Sequence, residues 1–311
     1  MDPQQTTLSY PSHNGQTQIH ALLWPSPDTQ PRGVVQIIHG AAEHSARYTD
    51  FAHFLNDKGF VVCASDHLGH GGSISSPADL GDMPLKNGAA TLVEDVHGLR
   101  QTVSSRYPDL PYFMLGHSMG SFVLRLYMAQ HGQGLAGAIL SGTNQQPRGI
   151  SVLGHALARC IAAFRGATFA SGLLHNMGLG AYARAIPNAR TVFDWISTDP
   201  AVVDAYAADA ACGMPFTAGG YATLTQLTSK MVKAGCARAV PCGLPVLLIA
   251  GSQDPVGVQG KGVHAAAEQY RKAGLTNVSL ILYDNMRHEV LNEPNKQIVY
   301  QDILTWLTPF C

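Results

Sequence analysis

Charge is scarce in this chain. Asp, Glu, Lys and Arg make up 13% of its 311 residues, about half the roughly 25% of an ordinary soluble domain. The formal net charge is −1 and no block of like charges occurs. Little here would displace the counterions of a polyanion, so no nucleic-acid partner is expected. Long apolar runs are missing too. Nothing approaches the ~18 uninterrupted apolar residues of a bilayer span, and residues 1–18 lack the basic start and apolar core of a secretory leader. The cysteines, Cys63, Cys160, Cys212, Cys236, Cys242 and Cys311, form no CxxC pair. That argues against a zinc framework or a disulfide scaffold and for reduced thiols, with a Cys236–Cys242 bridge left open. Together these absences suggest a cytoplasmic protein. What is present is a hydrophobic fraction of 46%, enough to bury a full core in one large domain or in a domain carrying an insertion.

Short apolar runs alternate with helical patterns along most of the chain. Residues 34–38, 60–64, 112–116, 136–141, 245–251 and 278–283 read as strands that are apolar throughout, as parallel strands covered on both faces should be. Residues 19–24 suggest an antiparallel edge strand, and residues 6–10 a weaker one beside it. Between them, residues 91–107 place Leu92, Val96, Leu99 and Val103 on one helical stripe. Residues 48–58 do the same with Phe51, Phe54 and Leu55 and stop at Gly59. The last helix is expected at residues 297–307. This alternation predicts an α/β fold with a mostly parallel eight-stranded sheet and helices on both faces. It is interrupted between residues 143 and 240 by helical and Gly-rich sequence that includes an amphipathic stretch at 150–165. The expected organisation is a core of residues 1–142 and 241–311, with a helical lid of residues 143–240 inserted after the sixth strand. The lid would lie over the C-terminal edge of the sheet, where open α/β sheets bind ligands.

Gly116-His117-Ser118-Met119-Gly120 matches G-x-S-x-G, between the expected strand at 112–116 and a helical pattern at 122–130, the context that the α/β-hydrolase nucleophile elbow requires. The spacing has a physical reason. A tight strand-to-helix turn holds the serine in a strained conformation, and only small neighbours avoid collision. Ser118 is therefore the expected nucleophile. A serine hydroxyl attacks well only when an imidazole takes its proton, and in this fold the partners follow in the order nucleophile, acid, base. Of fourteen histidines, only His264 and His288 follow the strand at 245–251. His264 falls inside a helical stretch, whereas His288 lies in a loop after a strand and is the expected base. Asp254, in the turn after residues 245–251, is the expected acid that orients it. Asp284 is the rival, better suited to shaping the histidine loop, and the preceding strand end offers only Asn144. A tetrahedral oxyanion needs two preorganised donors. The N–H of Met119 should be one, and the N–H of Ala41, in His39-Gly40-Ala41-Ala42, the other. His39 itself is expected to make a structural hydrogen bond.

The segment His39–Tyr48, HGAAEHSARY, resembles the H-G-x-x-E-H-x-x-R-Y segment of the monoacylglycerol lipase and lysophospholipase branch of the α/β hydrolases. Asp66–Ser73 is similar to that family's D-x-x-G-H-G-x-S turn, Gly116–Ser121 to its nucleophile elbow, and Arg287–Glu293 to its histidine loop. Gln253 departs from the charged residue usual before the acid. The family turn accounts for His67 and His70, so no metal is expected there, and Glu43 and Arg47 should brace the oxyanion loop. The resemblance implies a serine hydrolase that needs no cofactor and cleaves carboxylic esters, foremost monoacylglycerols or similar lipid-like esters. A short-chain carboxylesterase, a lysophospholipase and a proline-aminopeptidase-like peptidase are the alternatives, with a non-catalytic binding protein behind them. An amino-terminus-binding peptidase would need carboxylates in the lid, and residues 143–240 hold only Asp194, Asp199, Asp204 and Asp209. The expected partner is a small ester, with transient contact between the lid and a membrane surface as a further option.

Overall fold

A computed structural model describes residues 5–311. Residues 1–4, counted with the core above, lie outside the described residues. Eight strands form one sheet: β1 (Thr6–Pro11), β2 (Gln18–Trp24), β3 (Gly33–Ile38), β4 (Phe60–Ser65), β5 (Tyr112–His117), β6 (Gly137–Ser141), β7 (Val246–Gly251) and β8 (Val278–Tyr283). Their spatial order is β1-β2-β4-β3-β5-β6-β7-β8. β1 and β2 pair antiparallel, as do β2 and β4, and the other pairs are parallel. The eight-stranded, mostly parallel sheet expected from the sequence is thus present, including the weak candidate at its edge.

The helices that face the sheet are α1 (Thr49–Asn56), α2 (Gly88–Ser104) and α3 (Met119–His131) and, near the chain end, α9 (Lys261–Lys272) and α10 (Lys296–Leu307). Between β6 and β7 come α4 (Arg148–Arg165), α5 (Gly172–Met177), α6 (Pro200–Ala208), α7 (Ala218–Met231) and α8 (Ala234–Arg238). Alternation along the strands divides the core in two. Val34 and Ile38 of β3 join the cluster under α2, α3 and α9, whereas Val35 and Ile37 join the one under α1 and α10. Residues 142–245 contribute no strand to the sheet, and α7 shares the first cluster through Tyr221, Leu227 and Met231.

Two element starts differ from the sequence reading by three residues. α2 begins at Gly88 rather than 91, because Asn87 turns left-handed (φ 58°) and launches the helix early. α3 begins at Met119, directly after the elbow, so the helical pattern seen from 122 onwards understates it. Inside the fold, the fully buried guanidinium of Arg125 ties α3 to its surroundings. It donates to the Asn144 carbonyl (2.6 Å), Gln145 Oε1 (2.6 Å) and Gln269 Oε1 (2.8 Å). Strands β3 and β5 are neighbours, but the chain leaves β3 towards β4 on the other side. Their carboxyl ends therefore frame a topological switch point, the usual ligand crevice of an open α/β sheet.

Candidate active site

Ser118 follows β5 at this crevice with φ 51° and ψ −119°, a left-handed backbone that costs a non-glycine residue about 1–3 kcal/mol and clusters at functional sites. The surroundings over-determine it. The Ser118 N–H donates to the Ser141 carbonyl at 2.9 Å. A Cβ on Gly120 would stand 2.0 Å from the Ile38 carbonyl oxygen, so the first turn of α3 can press onto the end of β3 only with glycine there. Met119 is the first residue of α3, and its N–H has no intrahelical acceptor.

The loop after β3 supplies the opposite wall. The Gly40 N–H donates to Glu43 Oε1 and the Ala42 N–H to His70 Nε2 (3.3 Å), while the Ala41 N–H has no protein acceptor among the described residues. Ala41, Ser118 and Met119 line one cavity of about 560 Å³. His39 serves as scaffold: one ring nitrogen meets the Gly40 carbonyl (2.8 Å) and the other accepts the His67 N–H (2.9 Å). Burial, assisted by nearby His70, pushes it down to about 3, so it stays neutral. The ring nitrogens of His67 and His70 likewise meet backbone groups of this turn. Asp66 accepts the Ser45 N–H (2.8 Å) and the Gly72 N–H (2.7 Å), and its Oδ2 lies 3.0 Å from His20 Nδ1. Burial opposes the ionised carboxylate, but these donors hold it well below the ordinary range.

Asp254 follows β7 and His288 follows β8, and both are buried. Nδ1 of His288 approaches Asp254 Oδ1 to 2.9 Å, an ion-pair distance whose alignment falls short of a hydrogen bond. Oδ1 also accepts the Val256 N–H at 2.8 Å, which fixes the carboxylate direction. Burial pulls the His288 imidazole down, yet the facing Asp254 carboxylate outweighs it and the net shift is upward. The ring lies 4.6 Å from that of His117, the neighbour of Ser118, and its Nε2 makes no hydrogen bond among the described residues. A Cβ on Gly142 would come within 2.8 Å of His288 Cε1, so that glycine makes room for the ring. The rival acid Asp284 is exposed, and so is His264 on α9. Asn144 is buried, its side-chain oxygen makes no hydrogen bond among the described residues, and a neutral amide brings no charge to His288.

Glu43 and Arg47 brace the loop as the sequence suggests, but several of the residues around them carry no local sequence signal. Arg47 donates to Glu43 Oε2 (2.7 Å) and forks onto both carboxylate oxygens of Glu289 (2.7 Å each), tying the Ala41 loop to the residue after His288. Arg287 donates to the carbonyls of Asp194 and Ser197. Glu293 accepts the N–H groups of Thr198 and Arg287, and the Glu289 N–H meets the Ile196 carbonyl at 2.7 Å. The Trp195 ring packs 5.1 Å from that of His288. Apart from Arg47–Glu43 and Arg287–Glu293, such pairs join residues some 90 to 240 positions apart, beyond the reach of periodicity. Only the charged positions in the two family segments hinted at them.

The sheet order, the serine elbow and the Asp–His pair delivered by the last two strands define an ester hydrolase of the α/β-hydrolase fold. Within that fold, the chain belongs to the serine aminopeptidase S33 family, whose model matches residues 29–295. It is 32% identical to a monoacylglycerol lipase of Mycolicibacterium smegmatis, covering 92% of this chain and 91% of that one. It is 28% identical to a monoglyceride lipase of Homo sapiens, covering 91% and 84%. A solved structure of a thermostable carboxyl esterase from Bacillus coagulans, in complex with glycerol, matches with a TM-score of 0.91 at 36% identity and 98% coverage of both chains. The family read from the four sequence segments is the family to which the chain belongs.

Proposed function

We propose that the protein hydrolyses monoacylglycerols and chemically similar lipid esters through an acyl-enzyme on Ser118. The observation that carries this reading is the cavity of about 560 Å³ beside Ser118, walled largely by apolar side chains such as Phe122, Leu157, Leu174, Leu224 and Met231. Its volume is that of a small-molecule site, and each methylene buried there contributes about 0.8 kcal/mol. An acyl chain is the ester component that gains from such walls.

In the reaction, His288 Nε2 takes the Ser118 proton as the hydroxyl oxygen attacks the ester carbonyl. The N–H groups of Ala41 and Met119, left open by the fold, receive the oxyanion. The imidazolium, held by Asp254, then protonates the departing glycerol oxygen, and water repeats the sequence on the acyl-enzyme.

The helices between β6 and β7 act as the lid in this scheme. Leu153, Leu157, Leu174 and Met177 from α4 and α5 wall the cavity, while Leu153, Phe164 and Met177 also expose apolar surface. That surface supports transient contact with a lipid surface. No helix among the described residues is long and apolar enough to cross a membrane. All six cysteines are free thiols, Cys236 and Cys242 included, which supports a reducing, cytoplasmic setting. A peptidase that grips a free amino terminus finds no support. Asp194 caps the Arg190–Thr191 turn, Asp199 caps α6, Asp204 pairs with Arg190, Asp209 with His44, and none of them lines the cavity.

A series of monoacylglycerols and p-nitrophenyl esters of increasing chain length tests the proposal, alongside Ser118→Ala. The expected result is glyceride cleavage with kcat/KM rising from acetyl to longer chains, and loss of several orders of magnitude in the variant with an unchanged melting temperature. Preference for acetate without glyceride cleavage would overturn the substrate, and substantial activity in Ser118→Ala the nucleophile.

A further inference from the structure

Away from Ser118, three different metal-binding side chains converge. His44 lies in the loop after β3, and Asp209 and Cys212 lie in the turn after α6. Their donor atoms all stand within 4.8 Å of one another. His44 Nε2 is 2.9 Å from Asp209 Oδ2. We propose that His44, Asp209 and Cys212 form a binding site for a thiophilic divalent cation of the zinc class.

The donor set is the first argument. Imidazole, carboxylate and thiolate are the three protein donors of zinc sites, and three of them leave a fourth tetrahedral position for water. On a sphere of about 2.0–2.3 Å radius, tetrahedral donors stand roughly 3.3–3.6 Å apart. Closing the set onto one ion therefore asks for side-chain movements of about 1 Å. The side chains of His44 and Asp209 are 17% and 38% exposed, so an ion has a path from solvent.

Charge is the second argument. On binding, Cys212 releases its proton to solvent, and thiolate plus carboxylate balance the two positive charges of the ion. Among the described residues around the site, the carboxylates of Glu43 and Glu289 share the Arg47 guanidinium, while Asp209 has His44 as its ion-pair partner. The patch carries an excess of negative charge before any ion arrives. Burial, the leading influence, keeps the Cys212 thiol protonated otherwise.

Preorganisation is the third. The Ala42 carbonyl, two residues before His44, accepts the Tyr206 hydroxyl (2.7 Å) and the Gly213 N–H (2.9 Å). The two ligand-bearing segments are thus already fastened together on both sides of Asp209 and Cys212. An ion would clasp the 209–213 turn to the loop that presents Ala41.

The test uses the full-length protein, freed of metal with EDTA and titrated with Co²⁺ as a spectroscopic stand-in for Zn²⁺. One equivalent should produce a thiolate-to-metal charge-transfer band, and Zn²⁺ should displace it. Zn²⁺ at a hundredfold excess over its Kd should raise the melting temperature by several degrees. Cys212→Ala should abolish the band, and Asp209→Asn, at a half-exposed position tolerant of change, should weaken Co²⁺ binding tenfold or more. A wild-type protein without the band overturns the site. So does a band that survives in Cys212→Ala, which would assign it to exposed Cys160, Cys242 or Cys311, or an unchanged affinity in Asp209→Asn.

Discussion

Replacing Arg47 by Met should destabilise the protein by about 3–4 kcal/mol at pH 7.5, and that loss should shrink towards acid pH. Arg47 sits between two buried carboxylates, Glu43 and Glu289, with three nitrogen–oxygen contacts of 2.7 Å. Removing one partner of a buried pair typically costs about 3–5 kcal/mol, because a charge stays buried without compensation. Protonation sets a ceiling. Neutralising a carboxyl of ordinary pKa costs about 4 kcal/mol at pH 7.5 but only about 1 kcal/mol at pH 5. Burial alone would raise the Glu43 carboxyl, and Arg47 leads the groups that hold it below its ordinary value of 4.5. Its stabilising contribution is therefore complete above pH 4.5 and is lost as the pH falls through the lower folded value. Without Arg47 the folded value moves above the unfolded one, so destabilisation appears as the pH rises past 4.5. Urea unfolding of both proteins at pH 7.5 and pH 5.0 gives the comparison. The gap between them should fall by more than half at the lower pH. A gap below about 1 kcal/mol at pH 7.5, or one independent of pH, would refute the reasoning. Activity adds a second readout: with the Ala41 loop unbraced, kcat should drop about tenfold to a hundredfold, towards the loss seen when one oxyanion donor is removed.

Asp254→Asn should lower kcat by about 10³–10⁴-fold while leaving the fold intact, as expected when the imidazole loses the carboxylate that sets its tautomer; steady-state kinetics beside a melting curve checks it. The same variant should move the acid limb of the kcat/KM profile to lower pH, since Asp254 is the leading influence that raises His288 against the pull of burial. In the unmodified enzyme that limb should lie above pH 6.5, with activity growing as the base loses its proton. Gly142→Ala should cut kcat/KM by about tenfold or more, because the new methyl meets His288 Cε1 at 2.8 Å in a left-handed turn of φ 58°; an unchanged value would mean that the ring has slack in which to retreat.

The centre of the sheet was legible because β3 to β7 are buried along their whole length and read as largely apolar runs. The edge strand β1 was the weak candidate for the opposite physical reason: its exposed face carries polar Thr7 and Ser9, and Thr6 at its start is exposed too. The candidates Ser118, Asp254 and His288 come from chain order, since each follows a strand that ends at the same edge. Loop position favours Asp254 over Asp284, and burial, which sequence does not carry, adds to that preference. The N–H of Ala41 is a candidate from its position in the loop, but why it stays open depends on Glu43 and His70 taking its two neighbours. Arg47 was legible as a brace beside Glu43, but its pairing with Glu289, and the contacts of Arg287 and Trp195, join distant segments that no local pattern announces.

The hydrogen bonds between residues 194–198 and the 287–293 loop divide the long connection from β6 to β7 into two pieces of unequal portability. Residues 148–182 form one wall of the cavity, and Leu224 and Met231 of α7 form another. Exchanging residues 148–182 with those of relatives while α7 is kept is expected to change chain-length preference. Residues 194–198 share Arg287, Glu289 and Glu293 with the loop that carries His288. A chimera cut between these pieces keeps the base in place, whereas one that imports the whole connection must bring its own histidine loop with it.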